Sequence, residues 1–197
     1  CKVLTSRLGA TIELTRIADL DTTTDRGVEL PPGVLTDDAQ GLLNDPEIQV
    51  VVELIGGYEP ARTFVLQAIR NGKHVVTANK ALLAKHGDEI FAAAEEAGVD
   101  VMFEAAVGGG IPIISAIKES LGANNFYAFY GILNGTCNYI LTEMDEEGKD
   151  FFDVLEVAQK KGYAEADPTF DTEGIDTAHK LALLLSLCFG TKVNYDQ

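Results

Sequence analysis

Apolar and polar positions along the chain change period several times, and each change marks an element. Residues 12–18, Ile-Glu-Leu-Thr-Arg-Ile-Ala, alternate with period two and predict a strand, ended by Asp19, Asp21 and a threonine-rich loop. The run Val50 to Ile55 predicts a second, more buried strand, stopped by Gly56-Gly57. A helix follows from about Pro60, a residue favoured in a first turn, to Asn71-Gly72. His74 to Thr77 predicts a short strand, Ala81 to Ala97 a helix closed by Gly98, and Val99 to Phe103 another strand. Strands alternating with helices imply βαβ units and a largely parallel sheet covered on both faces.

After Pro112 the rhythm changes to a helix around 112–120, a strand from about Phe126 to Leu133, and mainly helix beyond. From Gly174 onward Ile175, Ala178, Leu181, Ala182 and Leu185 recur at helical spacing and form an apolar face. A second domain is therefore expected from about residue 105. With no internal repeat and no low-complexity linker, the join reads as a packed interface rather than a tether.

Composition narrows the functional classes. The 197 residues are 46% hydrophobic and 23% charged, as in a soluble globular protein. A formal charge of −16 argues against a sequence-independent nucleic-acid binder or an anionic-membrane binder. Three widely spaced cysteines, Cys1, Cys137 and Cys188, imply neither a disulfide framework nor a zinc site, and a reducing, cytoplasmic compartment fits best. No apolar run approaches the ~20 residues that span a bilayer. The first residues, Cys-Lys-Val-Leu-Thr-Ser-Arg, lack the apolar core of a signal peptide and no methionine opens them, so residues are expected to be missing in front.

The chemistry concentrates between Gly162 and Lys180, where carboxylates, a lysine and a histidine surround one loop-to-helix junction. Asp176 and Lys180 stand four apart and are neighbours on a helix surface; taken alone such a pair is an ordinary solvated salt bridge. The preceding loop brings Glu165, Asp167 and Asp171, which can fold back over the same helix start. A lysine among carboxylates favours its charged form and a desolvated one disfavours it, so the balance can place a proton donor near an alcohol or carbonyl. Three loops, Gly56-Gly57-Tyr58-Glu59, Ala78-Asn79-Lys80 and Glu104 to Gly110, each follow a strand and would line one crevice at the carboxyl end of a sheet. There Lys80 can point a charge at substrate or cofactor, or lie on the surface at a helix start.

Gly108-Gly109-Gly110-Ile111-Pro112 is open to three readings: a plain turn, an anion cradle of backbone N–H groups, or carbonyls that join Glu104 around a hard cation. Asp19 ends a strand where a carboxylate can bond an adenosine ribose. His179 points about 100° from Lys180 on the helix and reads as packing or surface. Cys137 in Asn134-Gly135-Thr136-Cys137-Asn138 carries no nucleophile signature and reads as a small buried residue.

Taken together, Val51 to Gly57, His74 to Lys80, Phe103 to Pro112, Gly131 to Asn138 and Gly162 to Lys180 resemble the blocks of the homoserine dehydrogenase family, in order and spacing. The resemblance implies an α/β chain: a Rossmann-type NAD(P)-binding domain over residues 1–104, without its first strand and glycine turn, then an α+β substrate and dimerisation domain over 105–197, truncated at its end. It implies NAD(P)-dependent interconversion of L-homoserine and L-aspartate 4-semialdehyde on the way to threonine, methionine and isoleucine, in a homodimer or higher homo-oligomer. Lys180 matches the proton donor and acceptor, Lys80 the second lysine, Glu165 the holder of the substrate amino group, and Asp171 and Asp176 the carboxylates that shape the pocket. Ile55, Gly56 and Gly162 match cofactor contacts, with Lys80 facing the same crevice. Glu104 with the carbonyls of Val107, Gly109 and Ile111 matches a monovalent-cation site for Na or K. A carboxylate at Asp19 leans toward NAD over NADP, although the family uses both. No Gly-x-Gly-x-x-Gly turn occurs in these residues. Two other readings stay open: a different Rossmann-type oxidoreductase, and a non-catalytic binding or regulatory fragment.

Overall fold

The computed structural model describes residues 2–193 and 195; Cys1 lies outside them. A helix that no periodicity announced, α1 (Lys2–Leu8), opens the described chain. Two parallel two-residue strands follow, β1 (Ile17–Ala18) and β2 (Leu35–Thr36), with Ile17 beside Leu35 and Ala18 beside Thr36. The alternating stretch 12–18 is therefore strand only at its end, because a strand extends no further than the partner that takes up its hydrogen bonds. After α2 (Ala39–Asn44) come β3 (Val50–Glu53), α3 (Ala61–Arg70), β4 (His74–Thr77), α4 (Lys80–Ala97) and β5 (Val101–Met102). β3, β4 and β5 form a separate parallel sheet in that spatial order, and Val51, Val75 and Val101 lie side by side across it.

This βαβαβ run is the expected one, with Asn79 capping α4 through its side chain and Gly98 closing it at φ +67°. The covering of the sheet differs from expectation. Val65, Leu66, Ile69, Leu82 and Ile90 of α3 and α4 pack with Val75 and Val101 in one core, whereas Val50, Val52 and Met102 on the opposite face are half exposed or more. Both crossovers step the same way along the sheet, and right-handed crossovers stepping the same way put their helices on the same side. The described residues therefore cover one face, and β3 is not the fully buried strand its apolar run implied.

Beyond β5 a 3₁₀ turn (Glu104–Ala106) leads to α5 (Ile113–Ser115), which continues as a π turn over Ala116–Ser120. Among the described residues from 105 on there is no strand, which corrects the α+β expectation for this half. Phe126 to Leu133 runs without regular structure, with Tyr127, Tyr130 and Ile132 exposed. Aromatic and β-branched residues suit a strand, but without a ladder partner among the described residues they do not make one. Among the described residues four helices follow: α6 (Gly135–Glu147), α7 (Phe151–Lys160), α8 (Thr169–Thr172) and α9 (Ile175–Phe189). α6 and α7 enclose a small core of Ile140, Val154, Ala158 and Ala164. α9 packs on α4, and its Leu183 and Leu184 join the main core, so the two halves share one apolar interior.

Candidate active site

The site is assembled where the starts of α4, α6 and α9 converge. Asn79 Oδ1 accepts the Leu82 amide at 3.1 Å, which makes Lys80 the first helical residue. The Asn79 amide donates to the Gly57 carbonyl at 2.8 Å, and its backbone N–H to Thr77 Oγ1 at 2.9 Å. Thr77 Oγ1 donates to Glu53 Oε2 at 2.6 Å, while Glu53 Oε1 accepts the Ile55 amide at 2.7 Å and the Gly56 amide at 3.2 Å. Glu53, Thr77 and Asn79, all buried, thus tie the glycine loop after β3 to the lysine after β4. Gly56 and Gly57 hold φ +80° and +66°, values that side-chain-bearing residues rarely adopt.

Across from this frame α9 presents Asp176, whose side chain is 10% exposed. Its Oδ1 lies 3.1 Å from Lys80 Nζ and its Oδ2 2.6 Å from Lys180 Nζ, so one carboxylate bridges two ammonium groups from different elements. Lys180 also donates to the Leu133 carbonyl at 2.8 Å. Asn134, buried at the cap of α6, donates through Nδ2 to Asp171 Oδ1 at 2.7 Å and to Asp176 Oδ2 at 2.9 Å, and its Oδ1 accepts the Cys137 amide at 2.7 Å. An open cleft of about 230 Å³ lies over this cluster, lined by Lys80, Glu165, Asp167, Phe170, Asp171 and Asp176.

The electrostatics follow from these contacts. Burial raises the Asp176 pKa, but the hydrogen bonds from Lys180, Asn134 and Lys80 outweigh it and hold the carboxylate below its ordinary value. Burial pushes the Cys137 thiol up, helped by the charges of Asp171 and Asp176, which keeps it a thiol; its Sγ lies 3.2 Å from the Asp171 carbonyl. Burial and the Lys80 charge push His179 down against the pull of Asp176. Its ring stacks on Tyr195 at 4.4 Å, and both ring nitrogens are buried with no hydrogen-bond partner. His179 is thus a packing residue: the buried line of α9 is Asp176, His179, Ala182, Leu183 and Leu184, while Leu181, expected on the apolar face, is 39% exposed.

Comparison with known proteins gives this geometry a context. The family model described as "Homoserine dehydrogenase, NAD binding domain" matches residues 2–104, and the model "Homoserine dehydrogenase" matches residues 112–197. The chain belongs to the homoserine dehydrogenase family. A homoserine dehydrogenase of Synechocystis sp. is 58% identical over 85% of this chain and 39% of its own length; one of Pseudomonas aeruginosa is 61% identical over 83% and 38%. The crystal structure of a homoserine dehydrogenase from Thiobacillus denitrificans superposes with a TM-score of 0.91 at 55% identity, covering 99% of this chain and 45% of that one. A hyperthermophilic archaeal homoserine dehydrogenase in complex with NADPH superposes with a TM-score of 0.72 at 31% identity, over 78% of this chain and 48% of that one. The chain therefore spans less than half the length of each of these relatives.

Within this homoserine dehydrogenase frame, five residues singled out from the sequence line one cleft, Lys80, Glu165, Asp167, Asp171 and Asp176, and a sixth, Lys180, pairs with Asp176 without lining it. Ile55, Gly56 and Gly162 are not in its lining; Ile55 and Gly56 sit in the loop after β3, and Gly162 at φ +75° just after α7. Asp19 follows β1 in the other sheet, where its carboxylate accepts the Asp21 amide and pairs with Arg26 at 2.9 Å. Glu104 turns its carboxylate onto the start of α5, accepting the Ile114 amide at 2.8 Å, the Ser115 amide at 2.9 Å and the Ser115 hydroxyl. Burial raises the Glu104 pKa, and these donors more than reverse the effect. Among the described residues no group of three or more histidines, cysteines and acids is arranged to hold a metal ion, and no helix is long and apolar enough to cross a membrane. Asn134, Leu133, Glu53, Thr77 and Phe170 had not been singled out. An Asn before a helix is legible as a cap, but not as the donor to two carboxylates distant in sequence.

Proposed function

We propose that this chain carries the catalytic lysine and carboxylate cluster of an NAD(P)-dependent homoserine dehydrogenase, interconverting L-homoserine and L-aspartate 4-semialdehyde in the biosynthesis of threonine, methionine and isoleucine. The observation that carries the reading is the bridging of Lys80 and Lys180 by the mostly buried Asp176 beneath an open, carboxylate-lined cleft. A bound nicotinamide supplies the hydride acceptor for oxidation and the donor for reduction. Lys180 takes the hydroxyl proton as the alcohol is oxidised and returns it to the developing alkoxide in reverse, from a place set by Asp176 and the Leu133 carbonyl. Glu165, exposed on the cleft, attracts the substrate ammonium, and Asp171 shapes the floor beside it. Lys80 supplies a second positive charge for the substrate and for the cofactor's edge of the cleft.

The finer assignments rest on the same reading. Ile55 and Gly56, in a loop held open by Glu53, and Gly162 face the cofactor. Asp19 is the candidate ribose ligand; its pairing with Arg26 offsets the repulsion that a free carboxylate would exert on a 2′-phosphate, so both NAD and NADP stay within reach. Glu104 has most of its lone pairs committed to α5; it and the carbonyl oxygens of Val107, Gly109 and Ile111 are the groups that would hold Na or K, ions that take oxygen ligands. A homodimer, and a cytoplasmic setting for the free thiols Cys137 and Cys188, complete the proposal. The test is a spectrophotometric assay of the intact gene product with L-homoserine and either NAD⁺ or NADP⁺. Homoserine-dependent reduction is expected, with Lys180→Ala lowering kcat by ~10²–10⁴-fold while the protein stays folded. Near-unchanged turnover in that variant would remove Lys180 from the proposed role.

A further inference from the structure

Asn134 occupies a position that the mechanism above does not use. Its side chain has two amide hydrogens, and they are directed at two different carboxylates, Asp171 and Asp176; its carbonyl oxygen accepts the Cys137 amide. The partners fix this orientation, since carboxylates need donors and an amide N–H needs an acceptor. Asp176 Oδ2 therefore receives both the Asn134 amide and the Lys180 ammonium, while the preceding carbonyl, Leu133, receives Lys180 as well. The dipeptide Leu133-Asn134 thus touches the lysine and both carboxylates at once, from a residue only 6% exposed.

We propose that Asn134 is a positioning residue of the proton-transfer site, fixing where Lys180 sits and how tightly it holds its proton through the two carboxylates that its amide joins. The proposal rests on the reading of Lys180 as the acid and base. Two neighbouring carboxylates repel each other, and a neutral double donor between them lets both stay charged without adding a cation. By sharing Oδ2 with Lys180, the amide also draws charge from the oxygen that grips the ammonium, so the lysine does not hold that oxygen alone. The other charged and titratable groups facing the cluster are Lys80 from α4, Cys137 from α6, Asp171 from α8, His179 from α9, and Glu165 and Asp167 from the loop before α8.

Asn134→Asp and Asn134→Ser separate this role from capping, because aspartate and serine both cap helix starts well but neither offers the two amide donors. In the intact gene product, the rising limb of kcat against pH for homoserine oxidation is expected to move to higher pH. The shift is about one unit in Asn134→Asp, roughly ten-fold in rate at a fixed pH below the limb, and smaller in Asn134→Ser. The Lys180 Nζ resonance of ¹⁵N-lysine-labelled protein should titrate later in the same order, and Tm should fall more in Asn134→Asp, where a third carboxylate joins Asp171 and Asp176, than in Asn134→Ser. A uniform loss of rate with limb and titration unmoved overturns the proposal, whether or not Tm falls. If the wild-type protein does not oxidise homoserine, the functional reading fails instead, and the Nζ titration still decides what Asn134 does to Lys180.

Discussion

Asp176 and Asp19 are both aspartates within hydrogen-bonding distance of a cation, and they differ in almost everything that gives such a pair its weight. Asp19 meets Arg26 at 2.9 Å, seven residues away in its own loop, with both side chains more than 40% exposed. Asp176 meets Lys180 at 2.6 Å and Lys80 at 3.1 Å, with its own side chain 10% exposed and a third donor, Asn134, from another helix. Water and salt can replace Arg26 at small cost. Replacing Lys80, Lys180 and Asn134 around Asp176 costs more, because that carboxylate is only 10% exposed and its three partners come from α4, α9 and the start of α6. The same pairing chemistry is therefore a local loop clasp in one place and a tie between the two halves of the chain in the other.

The largest effect that can test this contrast is Asp176→Ala. It leaves two lysines facing each other without their carboxylate, and about 3 kcal/mol of stability should be lost, the lower end of the range for broken buried pairs because the cleft admits water. Urea unfolding measures it; a loss no larger than that of an exposed pair would erase the distinction. Next is the pH dependence contributed by His179, which burial and the Lys80 charge hold below its ordinary value of 6.5. The unfolded chain binds a proton there more readily than the folded one, so stability should fall as pH drops below about 6.5, by up to ~1.4 kcal/mol per unit. In His179→Phe that slope should flatten in thermal melts between pH 5 and 7. Asp176 works in a lower window: its depressed pKa contributes stability above its ordinary value of 3.8, lost as pH falls toward the folded value. The smallest effect is Asp19→Asn, expected to change unfolding free energy by no more than about 0.5 kcal/mol. A larger loss would mean that the β1 loop is held by more than its clasp with Arg26.

Sequence reading was accurate where information is local. His74–Thr77, the helix closed by Gly98 and the helix after Gly174 depend on runs of neighbouring side chains and on a stop residue, and all three stand where expected. It failed where a partner decides. Residues 12–18 and 126–133 have the right side chains for strands, yet only Ile17–Ala18 becomes one, since only there does a neighbouring strand take up the backbone bonds. The buried face of α9 was misplaced for a related reason: Asp176 and His179 are buried by what packs over them, while Leu181 is left out.

The family and the residue types of the site were written in the order of short blocks: an Asn-Lys after one strand, an Asp and a Lys four apart on one helix, acids in the loop before it. These are properties of neighbours in the chain, and physical chemistry acts on them wherever they are put. Which oxygen each lysine would hold, that one carboxylate would serve both, and that Asn134 would stand between Asp171 and Asp176 belong to the tertiary structure alone. Hydrogen bonds form between groups about 3 Å apart in space, and these donors and acceptors are separated by 37 residues or more along the chain for Asn134 and its carboxylates.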